Sequence, residues 1–331
     1  MRVLIVRLSS LGDIVMSMAV LQYIKKTLPY AKIEWLVDSR FSEILAHNVD
    51  LNGIHTLSIR DHKKNIPKII YEVIKLKKKL GSYDLVIDMQ GLIKSAVISR
   101  YLGKNVVGFD KESTKEKLAS YFYKNKISID FSEHILKRNL ELVKKGLGVE
   151  VCFDQVMQKK PYLFYNQPKE DLDSFLSKTK KNVLVVLGGS WDSKIYPKES
   201  LKEVIQRIDQ NSLILWSNPE EYERAKWITS QTSYAKVLPK MSLNDLKALI
   251  DKCDLVIGND TGPCHMAWAL NKPSVTILGC TSITRIPVNA QNLAVTSNVC
   301  VNPSKINKSD LSIQGIPPYE IVNAVEKLIK L

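Results

Sequence analysis

The chain opens MRVLIVRLSSLGDIV (residues 1–15), and the succession of residue types in it decides the fold. Val3 to Val6 are unbroken apolar residues, the pattern of a strand buried on both faces of a parallel sheet. Arg7 ends the run, small and flexible residues follow, and Asp13 stands at the mouth of a second apolar segment, 14–27, that reads as an amphipathic helix ending before Pro29. This is a strand-to-helix turn. Its single acid has two readings. A carboxylate near a helix N-terminus meets free N–H groups and the positive end of the dipole, so a cap explains it. A carboxylate at the carboxyl end of a strand is also placed for chemistry. The stretch alone leaves both open.

Working outward, the same rhythm repeats. Strands are predicted at KIEWLV (32–37), YDLVIDM (83–89) and NVVGF (105–109), with a helical pattern over 133–146 closed by Gly146 and Gly148. The stretch 159–170, with two prolines and no helical period, reads as a linker. Then NVLVVLGGS (182–190) restarts the pattern, followed by SLILW (212–216), a charged helix from Pro219, DLVIGND (254–260) and SVTILG (274–279). Two successive sets of β-α units predict an α/β protein of two doubly wound domains, 1–160 and 161–331. Ligands of such sheets bind at the carboxyl ends of strands, near the switch point, and two facing domains would place a site in their cleft.

Length and charge agree with that division. A chain of 331 residues exceeds one ordinary core. The net charge of +14 is uneven: residues 1–165 hold 28 Lys+Arg against 17 Asp+Glu, or +11, and residues 166–331 hold 20 against 17, or +3. The first half therefore expects an acidic partner: nucleic acid, a phosphorylated substrate or an anionic membrane surface. No segment approaches the roughly 20 apolar residues of a membrane span. Arg7 and Asp13 interrupt the opening run, so it does not read as a signal peptide. Five cysteines without a CxxC pair predict buried, reduced thiols of a cytoplasmic protein and no zinc site.

Four predicted strand ends carry unusual residues: SSLGD; LGGSWDSKIYP (187–197), with Gly188, Gly189 and then Lys194; SNPEEYERAK (217–226), with Glu220 and Glu221 at a helix start; and GNDTGPCHMAWAL (258–270). Helix N-termini with small residues suit anions, and two of them beside a lysine would suit a diphosphate. GxxxxGK[ST] is absent and GxGxxG follows none of the strands, so a P-loop and a hydride-transferring dinucleotide enzyme both lose their support. Each residue also has a plain reading: a tight turn for the glycines, a first-turn charge for Glu221, a packed or capping histidine for His265. Likewise the lysine-rich stretch 62–79 reads first as a solvated helix face. Its Ile66, Ile69, Ile70, Val73, Ile74 and Leu76 form one buried stripe, and its lysines could sit near anionic lipid headgroups.

Several stretches together resemble the lipopolysaccharide heptosyltransferases of glycosyltransferase family 9. They are MRVLIVRLSSLGDIV, YDLVIDMQGLIKSA (83–96), LASYFYKNK (118–126), LPKMSLNDL (238–246) and GNDTGPCHMAWAL, in order over nearly the whole chain. The resemblance implies the GT-B fold, two Rossmann-like domains with the acceptor on the N-terminal one and the nucleotide-sugar on the C-terminal one. It implies inverting transfer of heptose from ADP-L-glycero-β-D-manno-heptose, without a required metal or other cofactor. The branch that these stretches match acts on the Kdo of Kdo-lipid A, peripherally on the cytoplasmic face of the inner membrane.

Carried over by position, Asp13 is the general base and Lys194 the cation at the donor diphosphate. Glu221 would hold sugar hydroxyls of the ADP moiety, and Met241 would lie beside the adenine. Asp260, Thr261, Gly262 and His265 form the donor-binding turn. Gly189 and Ser190 stand where the family commonly has hydroxyl residues, which keeps backbone contacts to phosphate and leaves one side-chain contact open, and GPCH replaces the commoner GLSH. Ser10, Gly12, Arg60 and Lys115 match the acceptor side. Competing readings are a later-acting heptosyltransferase, against which SSLGD and LPKMSL speak, a nucleotide-sugar epimerase of the same fold, and a basic RNA-binding protein. No RNA-binding signature supports the last, so nucleic acid is not an expected partner.

Overall fold

Eight apolar runs become the inner strands of two six-stranded parallel sheets. The computed structural model describes residues 1–59, 65–303 and 306–329. In the first sheet β1 (Arg2–Val6), β2 (Lys32–Asp38), β3 (Gly53–Leu57), β4 (Leu85–Asp88), β5 (Val106–Phe109) and β6 (Asn125–Ile127) lie in the order β3-β2-β1-β4-β5-β6. In the second, β7 (Asn182–Val186), β8 (Asn211–Leu215), β9 (Ala235–Val237), β10 (Leu255–Asn259), β11 (Ser274–Leu278) and β12 (Asn292–Thr296) lie in the order β12-β11-β10-β7-β8-β9. Renumbered from its own first strand, the second order is the same as the first, 3-2-1-4-5-6, the doubly wound Rossmann arrangement. Its switch points fall between β1 and β4 and between β7 and β10, pairs that are in parallel register.

The helices are α1 (Leu11–Met18), α2 (Leu21–Thr27), α3 (Ser42–Leu45), α4 (Ile66–Leu80), α5 (Ile93–Leu102), α6 (Ile135–Leu147) and α7 (Phe153–Met157) in the first unit. Those of the second are α8 (Lys198–Ile208), α9 (Pro219–Ser230), α10 (Leu243–Lys252), α11 (Gly262–Ala269) and α12 (Pro318–Ile329). Helices cover the central strands of each sheet, so Val3 to Val6 and Val183 to Val185 are fully buried, as continuous apolar runs require. At the end of α6, Gly148 takes the left-handed conformation that terminates a helix (φ 67°).

The structure corrects several expectations. The helix expected over 14–27 starts three residues earlier, because Ser10 takes the N-cap and Asp13 the third helical position, and it divides at Ala19–Val20 into α1 and α2. The chain separates into Met1–Phe164 and Tyr165–Leu331, four residues past the expected 160/161 boundary. Tyr162 accounts for the shift: its hydroxyl donates to the Val15 carbonyl at 3.0 Å, and its own carbonyl accepts from Asn48 Nδ2 at 2.9 Å. Ile69, Val73 and Leu76 pack on the core, but Ile66, Ile70 and Ile74 are exposed, so the six do not form one buried stripe. Of the five cysteines, all free, Cys152 and Cys300 are exposed rather than buried.

Candidate active site

Both switch points hold a cation paired with a carboxylate. At the first, Arg7 follows directly on β1. Its guanidinium meets Asp13 Oδ1 at 2.9 Å and also donates to the carbonyl of Met89, just past β4, so it spans the two strands that flank the switch. The Arg7 side chain is 9% exposed and that of Asp13 33%. Ser10 donates to Asp13 Oδ2 through its backbone N–H (3.2 Å) and its hydroxyl (2.8 Å). The cap reading of Asp13 is therefore correct as far as it goes: it satisfies an N-terminal donor of α1. The Asp13 side chain nevertheless keeps a third of its surface open, so a ligand can also reach it. Ser10 is exposed and Gly12 is buried in the first turn of α1.

Residues that the sequence did not single out shape this turn. Gln90 Oε1 accepts from the backbone N–H groups of Leu8 (2.6 Å) and Ser9 (3.2 Å), and its Nε2 donates to Ser9 Oγ (3.1 Å). Gln90 is itself placed by Asp88, whose Oδ1 accepts from the N–H groups of Gln90 and Gly91 at 2.8 and 3.3 Å. The other oxygen of Asp88 accepts from Ser95 Oγ and Tyr123 OH, both at 2.8 Å. Full burial pushes the Asp88 carboxyl above its ordinary range, against these four hydrogen bonds. A buried acid inside an apolar strand, as in LVID, is the signal that could have found it. The segment carrying Lys115 docks on the same turn: Thr114 Oγ1 donates to the Gly91 carbonyl (2.5 Å), and Glu116 accepts from the Ile93 N–H (2.7 Å). Lys115 itself is exposed; Arg60 lies outside the described residues.

At the second switch point the turn after β7 and the end of β10 meet. Lys194 Nζ lies 2.6 Å from Asp260 Oδ2, and His265 Nε2 lies 3.2 Å from Asp260 Oδ1. Lys194 also sits 4.7 Å from the centre of the Trp191 ring. Side-chain exposure is 11% for Lys194 and 8% for Asp260. Burial alone would raise the Asp260 carboxyl; the His265 contact and the Lys194 charge outweigh it and hold the group well below the usual carboxylate range. The segment at 192–194 is a single 3₁₀ turn rather than a helix N-terminus, so α11 alone offers helical N–H groups here. Thr261 is its N-cap and makes no side-chain cap bond, Gly262 opens the helix, and Pro263 follows without an N–H.

Asn259, unremarked in the sequence, ties the two strand ends together. Its Nδ2 donates to the carbonyls of Gly188 (2.9 Å) and Leu187 (3.3 Å), and its Oδ1 accepts from the Tyr196 N–H (3.2 Å). Glu221, in the first turn of α9 beyond β8, is buried against Gly188. A Cβ on that glycine would lie 2.6 Å from Glu221 Oε1. Glu221 also accepts from Ser217 (N–H 2.7 Å, hydroxyl 2.8 Å) and from Asn218 Nδ2 (2.8 Å), which holds its carboxylate in place beside Gly188. Gly189 is half-buried and Ser190 exposed in the turn, and half-buried Met241 lies on the loop after β9. Thus Gly189, Ser190, Lys194, Glu221, Met241, Asp260, Thr261, Gly262 and His265 all fall on strand-end segments of one parallel sheet, along the edge where such sheets bind ligands.

Two six-stranded sheets of identical order, each with a charged pair at its switch point, define a two-domain Rossmann-like protein of the GT-B kind. The family model of glycosyltransferase family 9 (heptosyltransferase) matches residues 73–313, and the chain belongs to that family. It is 36% identical to lipopolysaccharide heptosyltransferase 1 of Campylobacter coli over 343 aligned positions, covering 99% of both chains. To the protein of that name from Escherichia coli strain K12 it is 30% identical, covering 84% of this chain and 88% of the other. The structure of E. coli heptosyltransferase WaaC with ADP-2-deoxy-2-fluoro heptose superposes with a TM-score of 0.75 at 27% identity, covering 100% of this chain and 99% of that one.

Proposed function

We propose that this heptosyltransferase moves L-glycero-D-manno-heptose from its ADP derivative to the Kdo of Kdo-lipid A, in assembly of the lipopolysaccharide inner core. The observation that carries the reading is the pair of switch-point sites, one with a partly open carboxylate and one with a buried cation beside an uncapped helix N-terminus, in a family 9 chain. Heptosyltransferase 1 is the name of the two relatives described above, at 36% and 30% identity. The acceptor belongs to the first unit, whose net charge of +11 suits a substrate rich in phosphates and carboxylates.

The chemistry follows from the charges. The bond from the heptose anomeric carbon to the ADP oxygen breaks, and a new bond forms from that carbon to the acceptor oxygen, on the opposite face. Asp13 takes the acceptor hydroxyl proton; ADP leaves with the bonding electrons as an anion. Lys194 and the N–H groups of α11 stabilise the charge that grows on the diphosphate, and they are in place before it develops. Asp260 orients Lys194 and, with two cationic or hydrogen-bonding neighbours, stays an anion. Glu221 takes hydroxyls of the ADP ribose, and Met241 packs beside its base. With a fixed ammonium to receive the leaving charge, the reaction proceeds without a bound metal. The protein works on the cytoplasmic face of the inner membrane as a peripheral enzyme; among the described residues no helix is long and apolar enough to cross a bilayer.

Incubation with ADP-heptose and Kdo-lipid A tests the proposal by mass spectrometry. The expected product is acceptor heavier by one heptose, with one ADP released per transfer and an unchanged rate after chelator treatment. Equal ADP release without the lipid acceptor would overturn it in favour of an epimerase or hydrolase.

A further inference from the structure

The exposed isoleucines of α4 are half of a larger feature. Ile66, Ile70 and Ile74 are 64%, 54% and 37% exposed and recur at i, i+4 and i+8, so they form one ridge on the helix surface. On α5, Ile93, Val97 and Tyr101 repeat the same spacing and are exposed as well. The helices are neighbours on one face of the first sheet. Both contribute to a single core cluster through Val73, Ala96, Ile98 and Leu102, and Lys77 Nζ donates to the Leu102 carbonyl at 2.7 Å. Two adjacent apolar rows are thus presented outward. Burial of the helices' inner sides against the sheet does not explain them, because other residues, Ile69, Val73 and Leu76, do that packing.

Charge decides what covers these rows. Within their bounds the two helices carry seven Lys or Arg residues against one acid, Glu72. Lys68, Lys75, Lys78 and Lys94 are exposed beside the rows. A second copy of the chain would bring the same cations together and would be repelled. An anionic bilayer complements both features, since apolar side chains at this spacing enter the headgroup–acyl boundary while flanking lysines meet lipid phosphates. Position agrees too. In a parallel sheet each crossover helix starts at the carboxyl edge, and Ile93 comes three residues after Gln90, which holds the Ser9 turn beside Asp13. The face therefore begins at the edge that presents the proton acceptor.

We propose that the α4–α5 face is the membrane-docking surface of this protein, with Ile66, Ile70, Ile74, Ile93, Val97 and Tyr101 entering an anionic lipid layer and the adjoining lysines bound to its phosphates. This rests on the lipid-linked acceptor proposed above and assigns the surface that reaches it. Docking would place Asp13 at the height of headgroup-borne sugars without burying it in lipid.

The test is sedimentation with vesicles of phosphatidylethanolamine and phosphatidylglycerol, or of phosphatidylcholine alone, without donor. Wild type should bind the anionic vesicles, weakly in high salt, and bind phosphatidylcholine little. The double variant Ile70→Asp/Val97→Asp, both changes at exposed positions, should bind about tenfold less or worse. Lys75→Glu/Lys78→Glu, which leaves the apolar rows intact, should do likewise. Transfer to a deacylated, water-soluble Kdo acceptor should stay within about twofold of wild type in both variants, while transfer to acceptor embedded in vesicles falls with binding. Wild-type vesicle binding by either variant overturns the proposal. So does a wild-type dimer in sedimentation velocity that Ile70→Asp/Val97→Asp makes monomeric with vesicle binding intact. Loss of transfer to the deacylated acceptor by wild type itself would instead count against the proposed reaction, leaving the vesicle result to stand separately.

Discussion

The two switch points share a topology and differ in what is hidden. At the first, the cation is buried and the carboxylate is open: Arg7 is 9% and Asp13 33% exposed. At the second, both partners are buried, and the carboxylate has a further neighbour in His265. The difference matches the two roles proposed for these sites. A general base has to meet a substrate proton, so its carboxylate must be reachable, while its orientation can come from a buried partner. A charge scaffold for a diphosphate must not titrate or move, so its carboxylate is better enclosed and doubly held. Asp260 is depressed far below the carboxylate range and enclosed, which makes it a poor base; Asp13, in contact with Ser10 and Arg7, is open on one side to a substrate.

Asp13→Asn should have the largest effect and puts this contrast at risk. Asn keeps an acceptor for the Ser10 N–H but cannot take a proton, so transfer should fall by about 10²–10⁴. Stability should fall by only about 1–3 kcal/mol, because the buried Arg7 loses its ionised partner but keeps the Met89 carbonyl as an acceptor. Initial rates at saturating donor, beside a melting curve, separate the two quantities. A folded Asp13→Asn protein with near-normal transfer would reduce Asp13 to the cap that it also is.

Lys194→Met should show the opposite balance. Removing one partner of a buried pair typically costs about 3–5 kcal/mol, since Asp260 would be left with His265 alone. The variant should melt well below wild type, and adding Asp260→Asn should restore part of the loss because no uncompensated charge then remains. In the fraction that stays folded, kcat/KM for the donor should also fall. If Lys194→Met melted later than Asp13→Asn, the assignment of a structural pair to the second site and a poised one to the first would be reversed.

A weaker effect is expected from pH. The Asp260 carboxyl is held below its ordinary value of 3.8, so below about pH 5 the unfolded chain begins to bind a proton that the native protein refuses. The stability that Asp260 contributes is complete above that range and is lost as pH falls through 3.8 and lower. Wild type should therefore lose melting temperature more steeply on acidification than Asp260→Asn does. Parallel pH profiles would mean that the native protein does not hold Asp260 below its ordinary value.

What could be read in advance follows the same division between enclosed and open positions. The eight strands recognised from apolar runs are the eight inner ones. The four that escaped, β3, β6, β9 and β12, are the four sheet edges. Edge strands are short and partly wet, as in GIHTL and NKI, so they carry no continuous apolar signature. On the surface of α4 the pattern misled, because hydropathy gives the width of an apolar arc but not how much of it a sheet can cover; Ile70 lies beyond that cover. In the sites, residues with chemically obvious side chains at strand ends were legible, and Asp13, Lys194, Glu221 and Asp260 occupy such ends. Gln90 and Asn259 were not. Each acts by holding backbone from a sequence-distant strand, 81 or more positions away for Gln90 and 71 for its contact from Asn259 to Gly188, and only the assembled sheet brings those partners together.

Gly188→Ala offers the smallest and sharpest of these contrasts. The turn after β1 has Ser9 where the chain needs only to meet Gln90, whereas the turn after β7 must let a buried Glu221 come against the backbone. An added methyl would stand 2.6 Å from Glu221 Oε1 and 3.1 Å from its carboxyl carbon, inside any normal contact. Glu221 cannot simply swing out, because Ser217 and Asn218 hold both oxygens. Overpacking of this kind costs about 1–3 kcal/mol, and the displaced carboxylate should raise the donor KM several-fold with little change in kcat. Shortening the acid in Gly188→Ala/Glu221→Asp should recover stability, since the clash is relieved, but not donor affinity, since the carboxylate no longer reaches the sugar. Recovery of both would show that Glu221 is a packing residue and that the donor's hydroxyls are held elsewhere; recovery of neither would mean that Gly188 serves the backbone path of the turn rather than the approach of Glu221.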